Sequence, residues 1–157
     1  MSRVDDNPKK QLQPPFMFRN IHTVTDLTNF TMSWFDVCFE GMIVFQAHPL
    51  IRAMRFYEEA SELVQSRGLS REDAHRVVDY VYDRPVGDSQ DEIGGSLITL
   101  LLLAKTGSYD IFNCFRDELH KNYGRIPKIR ARQLEKPQPT GGVGIDLPAL
   151  MKSIGNG

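Results

Sequence analysis

The chain lacks several features that would assign it to a specialised class of protein. Its 157 residues contain two cysteines, Cys38 and Cys114, which lie far apart and match no metal-binding spacing. No basic segment followed by an apolar one resembles a secretory signal, and the longest apolar run, residues 96–104, is about half as long as a membrane span. We therefore expect a soluble cytoplasmic protein without membrane contacts, whose thiols are reduced and buried.

An excess of charge is also lacking. The chain has 19 basic and 20 acidic residues, so its formal net charge is −1. Balanced charge produces no overall field that would attract nucleic-acid polymers or anionic membranes, and neither is expected as a partner. Any site for a charged ligand must be local.

Composition divides the chain into three parts. Residues 1–16 are polar, charged and proline-bearing, which predicts a flexible arm. Residues 17–135 are long enough to form one domain with a core. Residues 136–157 are rich in glycine and proline and predict a loop-like tail. Four apolar residues of the tail could form a short amphipathic turn: Leu147, Leu150, Met151 and Ile154.

The long middle part has helical periodicity almost throughout. Thr25 is expected to cap a first helix that ends near Gly41. Pro49 suits the first turn of a second helix, which should run to about Arg67 and stop at Gly68.

Three further helices complete the predicted domain. The segment SRED, residues 70–73, begins a third helix, and SQDE, residues 89–92, is a capping box that begins a fourth, strongly apolar helix ending at Gly107. The fifth runs from about Asp110 to Tyr123 and is closed by Gly124 and Pro127. No strand pattern is present, so we predict an all-α fold of about five helices whose short connections favour antiparallel neighbours.

Three glutamates cluster on the second helix. On a helical wheel Glu59 and Glu62 border the apolar stripe, with Glu58 beside them, and an i, i+3 pair is close enough to share a cation. Arg52 and Arg55 share this face and could neutralise the acids or bind an anion. The alternative is a solvated, salt-bridged helix surface.

A second group of acids begins the fourth helix. Asp88, Asp91 and Glu92 directly precede its most apolar stretch, although Glu92 can also be explained as part of the capping box. Two acid-bearing helices packed in one bundle could bring Glu59, Glu62 and Glu92 around a common point, as in carboxylate–metal sites.

At these residues the chain resembles a known family. The segment EEASE, residues 58–62, followed by DEIGG, residues 91–95, is similar to the paired EExxE and ExxD motifs of the MazG-like all-α nucleoside triphosphate pyrophosphohydrolases. The resemblance covers residues 34–137, including the basic closing segment KNYGRIPKIRARQLEKP. It implies a helical bundle that uses Mg²⁺, or Mn²⁺ in its place, to cleave a nucleoside triphosphate into a monophosphate and pyrophosphate.

The resemblance also implies roles for individual residues. Glu59, Glu62 and Glu92 would be metal ligands, and Glu58 and Glu59 would be catalytic, with Glu58 orienting water. The last aspartate of the family pattern falls on Gly95. Asp88, one turn before Glu92, is a better substitute than Asp91, whose side chain leans away from the gap. Substrate contacts are expected from Arg55, Lys121, Asn122, Arg125 and Lys128, with Arg130 and Arg132 as further phosphate-binding candidates.

Other readings stay open beside this one. The basic segment could be a solvated flank of the bundle, and Trp34, Phe35 and Phe39 could stack on a base but are more typical of a core. A ferritin-like dimetal oxidase would need two Glu-x-x-His motifs, and only residues 72–75 carry one.

A non-hydrolytic alternative keeps the same fold. Loss of the carboxylate at Gly95 favours a domain that binds nucleotide without cleaving it, or an oligomeric interaction module. The resemblance implies a homodimer or homotetramer. The leucine-rich fourth helix, which has more apolar surface than a five-helix monomer covers, also predicts at least a dimer.

Overall fold

A computed structural model describes residues 21–140 and residues 144, 146, 148, 149 and 152 of the chain. Helices and turns account for the described residues, with no strand among them, and the predicted all-α class is confirmed. The predicted arm, residues 1–16, lies outside the described residues, as do Leu147, Leu150, Met151 and Ile154. None of the described helices is long and apolar enough to cross a membrane.

Seven helices occur in the described part of the chain. The five predicted ones correspond to α1, α3, α4, α5 and α6, whereas α2 and α7 were not predicted because four and six residues are too few for a periodic pattern. Their bounds are α1 Val24–Cys38, α2 Ile43–Gln46, α3 Pro49–Ser66, α4 Arg71–Tyr82, α5 Ser89–Thr106, α6 Ile111–Gly124 and α7 Ile126–Ala131, followed by a 3₁₀ turn over Arg132–Leu134.

The start of α1 corrects the prediction of Thr25 as its cap. Thr23 caps the helix: its hydroxyl accepts from the Asp26 backbone N–H at 3.1 Å, and the Asp26 carboxylate accepts from the Thr23 N–H at 2.9 Å. Hydrogen bonds from the backbone of His22 and from Thr23 hold the pKa of Asp26 below its usual value. The helix ends at Cys38, three residues before the predicted end.

Other helix ends follow local chemistry more closely. Pro49 occupies the first position of α3, and Gly68, just after the helix, has a φ of +88°, the left-handed conformation that glycine adopts without strain. The Ser70 hydroxyl caps α4 by accepting from the Asp73 N–H at 3.0 Å. The predicted fifth helix, α6, ends at Gly124 as expected. Pro127 lies after that end, in the first turn of α7, where a missing N–H costs nothing.

The described chain forms two compact units. The first comprises α1, α6, α7 and the 3₁₀ turn, and the second contains α2 to α5. In the first unit α1 packs on α6 and α7. The aromatic rings at positions 35 and 39 pack edge to face with centroids 5.1 Å apart, which confirms that they belong to the core. Buried residues of this unit include Phe35, Cys38, Phe39, Leu119, Tyr123 and Ile126.

The two thiols differ in their surroundings. Cys38 is fully buried, as expected, but Cys114 is exposed on α6, so the prediction of a buried thiol at that position is wrong. The apolar character of cysteine does not by itself predict burial. The buried residues of α6 are Leu119 and Tyr123.

Arg130 links α7 to the end of α1. Its Nε donates to the Cys38 carbonyl at 2.6 Å, and its Nη2 donates to the Val37 carbonyl at 3.0 Å. The last carbonyls of a helix have no partner within the helix and carry its negative dipole end, so a guanidinium is well suited to them. Arg130 therefore has a structural role in joining α7 to α1, and the phosphate contact expected from its place in the basic segment stays a prediction.

The second unit is packed unevenly. In α2 the fully buried Gln46 accepts from the Arg52 guanidinium at 2.7 Å, which links it to α3. Met42, Phe45 and Ile51 are also buried. Neither α4 nor α5 has a buried residue. The apolar residues of these two helices are therefore left at least partly open to solvent in the described part of the chain.

The role of Arg130 predicts a stability difference between two arginines of the basic segment. Arg130→Met should lower the free energy of unfolding by about 1.5–3 kcal/mol, because two charge-assisted hydrogen bonds are lost. Arg132→Met, at an exposed position two residues away, should change it by less than about 0.5 kcal/mol. Equal effects of the two substitutions in denaturant titrations would contradict the role assigned to Arg130.

Candidate functional site

The acid cluster on α3 is organised by an arginine. The Arg55 guanidinium binds the Glu58 carboxylate at 2.6 Å, one turn along the helix, and both side chains are at least half buried. Its other nitrogen, Nη2, donates to the Pro137 carbonyl at 2.5 Å. Arg55 thus neutralises one acid, as the helical wheel suggested, and attaches the start of the tail to α3.

Glu59 and Glu62 form the exposed part of the cluster. Both side chains are exposed, and their i, i+3 spacing makes them neighbours on the helix surface. Carboxylate oxygens are the ligands that Mg²⁺ prefers. Glu58 is half buried and paired with Arg55, whereas Glu59 and Glu62 are exposed to solvent.

The acids of α5 are placed differently from the prediction. Asp88, not Ser89, is the N-cap of α5, since its Oδ1 accepts from the Gln90 N–H at 2.8 Å and from the Asp91 N–H at 3.4 Å. The predicted capping box at residues 89–92 is therefore wrong. Aspartate and serine are both good caps, and the sequence offered the two side by side.

The Glu92 carboxylate folds back over the loop that precedes α5. A methyl group added at Gly87 would collide with the Glu92 Oε1, so the glycine allows this close approach. The contact between Gly87 and the Glu92 carboxylate is seen only in the structure.

The predicted acids do not come together in one chain. Among the described residues, no group of three or more aspartate, glutamate, histidine or cysteine side chains is close enough to hold a metal ion. The α5 helix, which carries Glu92, buries none of its residues. The expected convergence of Glu59, Glu62 and Glu92 is not observed.

The same finding bears on the ferritin-like alternative. His75 on α4 accepts a long hydrogen bond, 3.4 Å, from the Arg71 Nε, and no metal-binding group of the described chain includes it. The motif at residues 72–75 is a feature of the exposed helix surface.

The candidates of the basic segment belong to the first unit, whereas Arg55 and the glutamates of α3 belong to the second. Arg125, which ends α6, donates to the Glu118 carboxylate at 2.5 Å and to the Asn122 side-chain oxygen at 2.6 Å. Lys121 is 3.5 Å from the same glutamate, and Lys128 is exposed on α7. These exposed pairs contribute about 0–1 kcal/mol each, so an anionic ligand could displace them at low cost.

Comparisons with known proteins add no family to this description. A scan against protein-family models and searches of curated proteins and of solved structures found no match. The resemblance to the MazG-like enzymes thus depends on the motif residues themselves, above all the acid cluster of α3.

The N-cap role of Asp88 predicts different effects of two substitutions. Asp88→Ala should lower the free energy of unfolding by about 1 kcal/mol, because the cap is lost, whereas Asp88→Asn should preserve stability, since asparagine caps equally well. Chemical denaturation followed by circular dichroism measures both. If Asp88→Asn is as destabilising as Asp88→Ala, the cap interpretation is wrong.

Proposed function

We propose that the protein hydrolyses a magnesium-bound nucleoside triphosphate between its α and β phosphates, yielding a monophosphate and pyrophosphate. The proposal depends on one observation above all. On α3, two exposed carboxylates, Glu59 and Glu62, lie one turn apart beside a third, Glu58, that is already neutralised by Arg55. The resemblance of this segment to the EExxE motif supplies the reaction class.

The described residues do not fit a closed magnesium site made by one chain, since no three-ligand group is present. Magnesium, however, is commonly held by one or two carboxylates together with substrate phosphates and water. Two carboxylates on one helical turn match an ion that arrives as part of the substrate. We therefore propose Glu59 and Glu62 as contacts to the Mg²⁺ of the bound nucleotide, with Mn²⁺ as a substitute.

The reaction requires one bond to form and one to break. A water oxygen bonds to the α phosphorus. The bond from this phosphorus to the oxygen that bridges the α and β phosphates breaks, and pyrophosphate leaves with the bonding electron pair. The proton of the water passes to a carboxylate, for which Glu58 and Glu59 are the candidates. Arg55 positions Glu58 through its ion pair and is itself engaged with Pro137, so we assign it a positioning role.

We also propose contacts from the basic segment to the phosphates and the base of the nucleotide. Lys121, Asn122, Arg125 and Lys128 supply the cationic and amide groups that phosphate oxygens and base edges accept. Glu92 and Asp88 are proposed as further metal ligands, from the start of α5. They can act in this way only if the start of α5 approaches Glu59 and Glu62 of α3.

A second candidate function is favoured by a specific observation. Gly95 replaces the last carboxylate of the family pattern, and the Asp88 carboxylate that could substitute for it serves as the N-cap of α5. A site with two carboxylates can bind a magnesium nucleotide without orienting a water for attack. The alternative is therefore a non-hydrolytic nucleotide-binding protein on the same fold.

Product analysis tests the hydrolase directly. Incubation of the full chain with ribo- and deoxyribonucleoside triphosphates in Mg²⁺ or Mn²⁺ should yield monophosphate and pyrophosphate in equal amounts. Glu59→Gln combined with Glu62→Gln should reduce the rate at least 100-fold, because removing a group that stabilises developing charge costs about 10²–10³.

A matched control carries the same change of charge elsewhere. Glu72→Gln combined with Glu135→Gln alters two exposed glutamates outside α3 and should leave the rate unchanged. Release of inorganic phosphate instead of pyrophosphate, or equal loss in both double variants, would contradict the proposed reaction.

Binding can be separated from cleavage by thermal unfolding. A non-hydrolysable triphosphate analogue with Mg²⁺ should raise the melting temperature, since a ligand at 100 times its dissociation constant adds about 2.7 kcal/mol. The α3 double variant should lose this rise, and the control variant should keep it. Stabilisation without product formation would establish the binding alternative, and a melting temperature insensitive to the analogue would exclude both functions.

A further inference from the structure

The α3 helix has an apolar stripe that the described chain leaves open. Its members fall within about 120° of each other at 100° per residue. They are Ala53, Phe56, Tyr57, Ala60, Leu63 and Val64. In α3, which the structure describes in full, only Ile51 is buried, and it lies outside this stripe. Phe56 is 61% exposed, Tyr57 59% and Leu63 36%. An amphipathic helix normally packs such a stripe against another element.

The tail contains a helical turn that begins at an aspartate. The Asp146 Oδ1 accepts from the Ala149 N–H at 3.0 Å, which is the geometry of an N-cap, and Pro148 lies in the first turn, where proline is favoured. The backbone is helical at Pro148, Ala149 and Lys152, and all three residues are exposed. We call residues 146–154 the tail turn.

The sequence makes the tail turn amphipathic. Four apolar residues follow the i, i+3, i+4, i+7 spacing that places them on one side of a helix: Leu147, Leu150, Met151 and Ile154. At 100° per residue the three exposed positions fall on the other side. They are therefore the positions that such a turn directs away from a surface on which it packs.

The start of the tail is attached to α3. The Arg55 Nη2 donates to the Pro137 carbonyl at 2.5 Å. A chain of about ten residues, such as the one between Pro137 and Leu147, spans about 17 Å on average. Phe56 and Leu63 form the edge of the stripe nearest to Arg55, within about 12 Å of it along the helix axis. The tail turn can therefore reach the stripe.

The two surfaces also have similar lengths. Residues 147–154 extend about 11 Å as a helix, and residues 56–64 of the stripe extend about 12 Å. The apolar side of the tail turn can thus lie along the stripe without overhanging it.

Attachment within one chain favours this occupant over a separate partner. A short linker gives an effective concentration of about 1 mM, so a contact with a dissociation constant of about 0.1 mM is formed about nine-tenths of the time. A separate partner at about 1 µM would need a dissociation constant about 1,000-fold lower to occupy the stripe equally well.

We infer that the tail turn docks on the apolar stripe of α3, with the Arg55–Pro137 contact holding the start of the tail. The inference does not depend on the proposed activity. It uses none of the glutamates of α3 and would hold equally for a nucleotide-binding or an inactive protein.

Limited trypsin digestion of the full chain tests the docking, because Lys152 is a cleavage site within the tail turn. Cleavage follows the population in which the turn is released. Phe56→Glu combined with Leu63→Glu should therefore speed cleavage after Lys152 about 10-fold, the ratio of the effective concentration to the dissociation constant. Helical circular dichroism should not change, because both side chains are exposed. Leu147→Glu leaves α3 unaltered and should speed the same cleavage to a similar degree.

The same kind of change on other helices provides the controls. Val77→Glu combined with Val81→Glu on α4, and Ile98→Glu combined with Leu102→Glu on α5, alter exposed apolar residues and should leave the rate unchanged. The first-order rate constant should also be independent of protein concentration. Equal rates in the wild type and the α3 variant, release by the α4 or α5 variant, or slower cleavage at higher concentration, which would place the turn on a second copy, would each overturn the inference.

Discussion

Burial of α5 is the constraint on which the rest of the structure depends. Transfer of apolar surface out of water is the largest favourable contribution to folding, and a leucine-rich helix left open to solvent forgoes that contribution. The first unit satisfies this requirement by itself, since α1, α6 and α7 enclose Phe35, Phe39 and Leu119. The second unit does not, because α4 and α5 bury no residue.

The state of the candidate site follows from this packing. Carboxylates on two different helices converge only when those helices pack closely, and among the described residues no group of three or more metal-binding side chains forms. What a single chain does prepare is local: the Arg55–Glu58 ion pair and the exposed Glu59 and Glu62 beside it. The proposed binding of a magnesium nucleotide uses this local arrangement, while the contribution of α5 depends on what covers that helix.

Predictions from sequence were accurate where the signal is local. Pro49, Gly68 and Ser70 marked the ends of α3 and the start of α4, because proline, glycine and serine act through their own backbone or the adjacent turn. Errors arose where two equivalent residues compete, as with Thr23 and Thr25 or Asp88 and Ser89. The Arg55–Glu58 pair could be anticipated from its i, i+3 spacing.

Interactions between distant parts of the chain could not be anticipated in the same way. Arg130 reaches carbonyls more than ninety positions earlier in the sequence, and nothing in its local pattern separates it from the exposed Arg132. The exposure of α5 could not be anticipated either, because a leucine-rich helix normally buries its side chains and this one buries none.

Hydrogen–deuterium exchange of the α5 backbone amides, measured at concentrations above and below dimer dissociation, tests the central claim most directly. The account predicts slow exchange at high concentration and fast exchange on dilution, with the amides of α1 and α6 unaffected, since covering the helix suppresses its local opening. Exchange in α5 that is equally slow at every concentration would show that the helix is protected within one chain and would contradict the account.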